Sequence, residues 1–192
     1  MTGVEHGTRV ATPESPLLHA VDDAEIADRA AEHGLVARLA FASALRANLE
    51  AFAISTAGDD VVAKASSLLR EAHALLAHSP QAASHVRTSE GALTGLGRLS
   101  ELGPFTGRLH AITPLFRLYL GGDRTEAFAT YSARHEGAPG LVQGGFIAAT
   151  FDELLGVSQA GIMRVTANLQ ISYRAPAPLF REVRYSCWLE RI

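Results

Sequence analysis

The stretch QGGFIAATFDELLGV, residues 143–157, decides the fold. Gly144 and Gly145 open it, and Phe146 to Val157 is apolar and long enough for three turns of a largely buried helix. Paired glycines at a helix start let the backbone approach a ligand closely. The unpaired N–H groups there favour a carbonyl oxygen that is gaining negative charge. Asp152 stands seven residues after Gly145 and is followed by Glu153. Seven residues make about two turns, so Asp152 shares a side with the glycines, roughly 10 Å along the axis. A carboxylate among Phe146, Ile147, Ala148, Ala149, Phe151, Leu154 and Leu155 is costly unless it has a partner or a job. Glu153 reads as a surface residue.

On either side of this helix the texture is that of strands. Phe116, Leu118 and Leu120 alternate with Arg117 and Tyr119, Gly121-Gly122-Asp123 makes a turn, and Glu126 to Tyr131 returns, which predicts a β-hairpin. After the helix, Val165, Ala167, Leu169, Ile171 and Tyr173 share one face of an expected strand, opposite Thr166, Asn168, Gln170 and Ser172. Beyond Pro176 and Pro178, Val183, Tyr185, Cys187 and Leu189 alternate with Arg184, Ser186, Trp188 and Glu190. Cys187 therefore reads as core packing. Hairpin, buried helix and long strands in that order predict an α+β fold, an antiparallel sheet packed on one central helix.

The N-terminal half has a different pattern. Residues 1–21 are rich in Gly, Thr, Pro and Ser and read as a disordered tail, and residues 22–80 read as a helical hairpin extension. Its first helix runs from an Asp22 or Asp23 cap towards Ala51, with a possible break at Gly34. Its second, capped by Asp59 or Asp60, carries Val61, Ala65, Leu68, Leu69, Ala72, Leu75 and Leu76 at helical spacing and ends at Ser79-Pro80. Such a hairpin must lay its apolar stripe on something. Residues 81–113, dotted with glycine, read as a linker or a wrapping loop, and residues 114–192 as the main domain.

Composition narrows the function classes. A net charge of -3 gives no reason to expect nucleic acid or an anionic membrane as a partner. Eight histidines include no ligand-like pair near a carboxylate, so no metal site is expected. The single cysteine excludes an intramolecular disulfide, and the polar start from Met1 to Leu18 argues against a signal peptide, so the expected location is cytoplasmic. The apolar stretch from Val36 to Ile54 carries Arg38, Arg46 and Glu50 and should not span a bilayer.

One helix cannot aim its N-terminus and a carboxylate two turns away at the same carbonyl carbon, because both must come within about 3 Å of the reacting group. Two antiparallel copies related by a two-fold axis can, each lending its amides to the other's carboxylate. A catalytic Asp152 therefore predicts a homodimer with sites at the interface.

The run EGAPGLVQGGFIAATFDELLG, residues 136–156, is similar to the E-G-x-P-G-x-V-H-G-G-x-x-A-x-x-x-D-E-x-x-G signature of hotdog-fold acyl-CoA thioesterases, notably the phenylacetate-degradation type. TANLQISYRAPAPL, residues 166–179, resembles the strand that follows it in that family. The resemblance covers about Pro114 to the end. It implies the hotdog fold with an N-terminal helical extension, in a homodimer or tetramer that hydrolyses acyl-CoA without metal or tightly bound cofactor. It implies a catalytic carboxylate at Asp152, acting as general base or nucleophile, and an oxyanion site at Gly144 and Gly145. Thr166 falls where a threonine positions water or the thioester, and Asn168 is a candidate for the acyl pocket, as is Trp188.

The chain departs from the family in two places. Gln143 stands where the family has histidine, though a glutamine amide can still donate to an oxyanion. The family also continues with two further strands, so the strand ending near Ile192 is expected to have an unpaired edge. An acyl-CoA-binding or structural hotdog domain without catalysis is the alternative. A dehydratase is a weaker one, because that chemistry calls for a histidine near the helix. His135, just before the signature, reads as a surface or loop histidine.

Overall fold

The computed structural model describes residues 19–21, 36–79, 103–114, 116–120, 124–158, 166–188 and 190. Four strands form one antiparallel sheet in the order β1 (His19–Val21), β2 (Phe116–Leu120), β3 (Arg124–Thr130) and β4 (Glu182–Trp188). Among the described residues three helices accompany it: α1 (Val36–Ile54), α2 (Asp59–Ala77) and α3 (Gly144–Ser158). Among the described residues no helix is long and apolar enough to cross a membrane.

The hairpin forms where alternation predicts it, with Phe116 opposite Ala129 and Leu118 opposite Ala127. Across β3, Ala127 faces Tyr185 and Ala129 faces Val183, so these six positions share the face turned to α3. That face is cut low by alanines, both of them buried, which lets a helix come close. α3 fills the space with Leu154 and Val157 and with the half-buried Phe146, Ile147, Phe151 and Leu155. The buried positions Thr150, Leu154, Val157 and Ser158 fall at i, i+4, i+7 and i+8, one face of a helix. A buried polar chain fixes its rotation: the Tyr131 hydroxyl lies 3.0 Å from Thr150 Oγ1 and 2.5 Å from the Tyr185 hydroxyl. Cys187 is buried in the same core, where burial pushes its thiol up.

Three outcomes differ from the expectations. Residues 166–174 are without regular secondary structure and largely exposed, and pair with no strand among the described residues. Alternation says which residues share a face, but a ladder also needs an edge to receive it. The cap position of α2 is Gly58, with no side-chain hydrogen bond; Asp59 and Asp60 lie in the first turn, where their charge suits the helix dipole. His19 to Val21, the end of the expected tail, pair with Leu118 to Leu120 at the sheet edge. The turn at residues 121–123, the start of the first predicted helix and its break at Gly34 lie outside the described residues.

α1 is held to the sheet domain by polar contacts. The Glu50 carboxylate accepts hydrogen bonds from Ser132 Oγ at 2.5 Å and Ala133 N–H at 3.1 Å, capping the 3-10 turn Ala133–His135, and pairs with Arg134 at 3.3 Å. Burial disfavours its charge, yet these donors outweigh it and hold the carboxyl below the ordinary range. Arg46 donates to the carbonyls of Arg108 at 2.6 Å and His110 at 3.1 Å, strapping down residues 103–114.

His135 is not at the surface. It is fully buried between Tyr131 and Phe146, edge-on to both rings. Its Nε2–H donates to the Ile112 carbonyl at 2.7 Å, which leaves Nδ1 to accept the Ser132 N–H at 3.0 Å. Burial pushes the imidazole below its ordinary value of 6.5, and the neighbouring Arg134 charge adds to the shift. Below about 6.5 the unfolded chain binds a proton that the folded chain refuses. Unfolding free energy should therefore fall as the pH drops from 7 towards 5.5, and His135→Gln should flatten that slope. Urea denaturation midpoints across this range measure it.

Candidate functional site

The loop before α3 sets the site. Residues 136–142 close on themselves through the Gly137 N–H to Leu141 carbonyl bond at 2.9 Å, and Gly140 takes φ +76°, a conformation that favours glycine. The Gly140 N–H donates to Glu136 Oε1 at 2.6 Å. The loop is tied to the returning chain by Val142 N–H to the Ala177 carbonyl and Leu179 N–H to the Gly140 carbonyl, each 2.9 Å. The Gln143 N–H donates to the His135 carbonyl at 2.9 Å, so the buried histidine turn positions the residue before the helix.

Gln143 precedes the helix start and turns its side chain over it. Its Oε1 accepts from the Gly145 N–H at 2.6 Å and the Phe146 N–H at 3.3 Å. Sequence reasoning gave this side chain the role of a donor; here it is an acceptor, because the unpaired amides of a helix start leave only N–H groups to satisfy. The Phe146 N–H is shared with the Gln143 backbone carbonyl at 3.0 Å, so the Gly145 N–H is the amide that rests chiefly on the side-chain oxygen. A Cβ at residue 145 would stand 2.7 Å from that Oε1, so glycine makes the approach possible. The Tyr173 hydroxyl donates to the Gly144 carbonyl at 2.8 Å, and its ring would lie 3.2 Å from a Cβ at residue 144. Tyr173 belongs to the site, and the only sequence signal for it was its place in the second motif.

A cavity of about 500 Å³ opens beside these groups. Gln143, Gly144 and Tyr173 form its polar wall, with Leu141, Ile147 and Pro176 among its apolar lining. Arg174 also lines it and forms no ion pair with a described residue.

Asp152 lies two turns along α3, half-buried, with Oδ1 buried and without a hydrogen-bond partner among the described residues. Its neighbour Glu153, expected at the surface, is half-buried instead. One Glu153 oxygen accepts the Phe105 N–H at 2.9 Å, so the carboxylate anchors residues 103–106 against α3. Burial raises its pKa, opposed by hydrogen bonds from Thr106 and Phe105. The sequence hid this role because the loop it binds has no periodic pattern. Thr166 and Asn168 are exposed on the irregular segment that leads to Tyr173, and Trp188 is exposed on the sheet face turned away from α3. The single chain thus brings together Gln143, Gly144, Gly145 and Tyr173, with Asp152 two turns along α3.

An antiparallel sheet packed on one central helix, with helices added before it, is the hotdog fold in its α+β form. The chain is similar to a solved crystal structure of a thioesterase superfamily protein, at 26% sequence identity and a TM-score of 0.63. The likeness covers 81% of this chain and 76% of that one, so it takes in part of the N-terminal half as well as the sheet domain. No family model matches the chain.

The site makes a strict demand on Gly137. A Cβ there would stand 2.8 Å from the Gln143 Cα, a backbone atom that cannot swing aside. Gly137→Ala should cost about 1–3 kcal/mol of stability through overpacking, measured by urea denaturation, and should displace Gln143 from the helix start.

Proposed function

We propose that this protein is an acyl-CoA thioesterase that works as a homodimer or larger assembly. The observation that carries the reading is the Gly145 amide, with a longer contact from Phe146, bonded to a side-chain carbonyl oxygen of Gln143, which lines a largely apolar cavity. A glutamine amide carbonyl occupies the place that a thioester carbonyl would take, and the same amides would hold the oxyanion formed on attack. The likeness to a thioesterase superfamily structure supports the same reading.

In this mechanism the substrate carbonyl displaces Gln143 Oε1 from the two amides. Asp152 from the other subunit takes a proton from water, and the hydroxide adds to the thioester carbon. The tetrahedral oxyanion, held by the amides, collapses with expulsion of the CoA thiolate, which recovers the proton. Free acid and CoA result. The buried, unpartnered Asp152 Oδ1 is a suitable acceptor for the water proton, since nothing described competes for it. The two-turn separation on α3 requires the second copy. Arg174 would meet a CoA phosphate at the cavity rim. No metal or bound cofactor enters the scheme, and the cytoplasm is its expected setting.

One observation favours the alternative of acyl-CoA binding without turnover: the oxyanion donors are already satisfied by Gln143. The experiment that separates the two is thiol release from a panel of acyl-CoAs, with Asp152→Asn and Gln143→Ala run in parallel. The hydrolase reading expects release by the natural protein and a drop of at least about 10²-fold in Asp152→Asn, within the range for loss of a general base. It also expects Gln143→Ala to retain activity, because a competitor for the amides has gone. Acyl-CoA binding by the folded protein with no thiol released would establish the alternative.

A further inference from the structure

α2 buries none of its 19 residues among those described, although Val61, Leu68, Leu69, Leu75 and Leu76 are between 49% and 76% exposed. A lone helix of this length is marginal in water, since most helical stability in proteins comes from packing an apolar face. The spacing of that face is specific. Val61, Ala65, Leu68, Ala72 and Leu75 recur at intervals of 4, 3, 4 and 3, the seam of a coiled coil. Val62, Leu69 and Leu76 widen it on one flank. Lys64 and Glu71, seven residues apart, stand on the other flank, exposed and without an ion pair to a described residue.

We propose that α2 is a self-association helix, and that its occupant is the α2 of a second copy running antiparallel. In one register the two helices match from Val61 to Ala72, and Leu75 and Leu76 reach past the partner's first turn. Ala65 meets the partner's Leu68 and Ala72 meets the partner's Val61, a small residue against a larger one in each layer. Val62 meets the partner's Leu69 on the apolar flank, and Lys64 meets the partner's Glu71 on the charged flank. Two-fold symmetry makes each contact twice. Sliding by one heptad brings Glu71 onto the partner's Glu71, or in the other direction Lys64 onto the partner's Lys64. The two charges therefore select the register as well as the partner. The acidic start of each helix, Asp59 and Asp60, would also lie near the other's C-terminal end, where His73 and His78 stand. This contact is independent of the catalytic reading. The helix is about 28 Å long, so losing the contact shifts a dissociation constant and leaves the rest of the chain folded.

The test is sedimentation equilibrium of the full chain over a dilution series. It compares the natural protein, Lys64→Glu, Glu71→Lys, the double exchange, and an equal mixture of the two single variants. Circular dichroism checks that helix content is unchanged. Each single variant turns two attractions into two repulsions and should weaken association about tenfold. The double exchange and the mixture should both restore it, which only reciprocal pairing between copies explains. One association constant shared by all five samples would overturn the proposal. So would a natural protein that stays monomeric while α2 resists proteolysis, which would show that another segment of the same chain covers the helix.

Discussion

The packing of α3 across a sheet face lowered by Ala127 and Ala129 is the contact on which the rest of the molecule depends. Fully burying side chains such as Leu154 and Val157 contributes about 1.5–3 kcal/mol each. The Tyr131–Thr150–Tyr185 chain adds direction to that burial: a rotated helix would strand three buried hydroxyls. Because the helix is fixed in translation and rotation by its core face, its first turn is fixed as well. The amides of Gly145 and Phe146 therefore point where the scaffold sends them, at the side chain of Gln143, which lines the cavity.

Polar contacts extend this order outward. His135 joins the 3-10 turn to residue 112 through one ring nitrogen and closes the turn on Ser132 through the other, and its carbonyl receives the Gln143 N–H. Glu50 caps the same turn from α1, and Arg46 holds the wrapping loop that Glu153 grips from α3. Helix, loop and turn are thus locked by a few groups whose loss would leave buried polar atoms unmatched. Since α1 docks through a carboxylate and a guanidinium, much of its apolar surface and much of α2's stays exposed.

The local chemistry of Gln143 sets the state of the helix start. A side-chain carbonyl before a helix start finds unpaired N–H groups within reach and accepts from them. The amides at the helix start are thus satisfied from within the chain. Asp152 is the complementary case, a carboxylate with one oxygen buried and nothing described to bond it. These two features, one saturated and the other unsatisfied, sit two turns apart on the same helix.

The sequence by itself determined the elements that rest on local periodicity and on short motifs. The β2–β3 hairpin, α3 with its glycine start, the two N-terminal helices and the last strand follow from alternation of two, from helical spacing and from turn residues, which act between near neighbours. Tertiary structure alone decided what those elements meet. The burial of His135 and Glu153 came from loop residues 103–114, which carry no pattern to read. The role of Gln143 as acceptor came from a side-chain rotation over its own helix, and the lack of a described partner for residues 166–174 from the edges the sheet offers. Periodicity records which face of an element is apolar, but what covers that face is settled only by contacts between residues far apart in the chain.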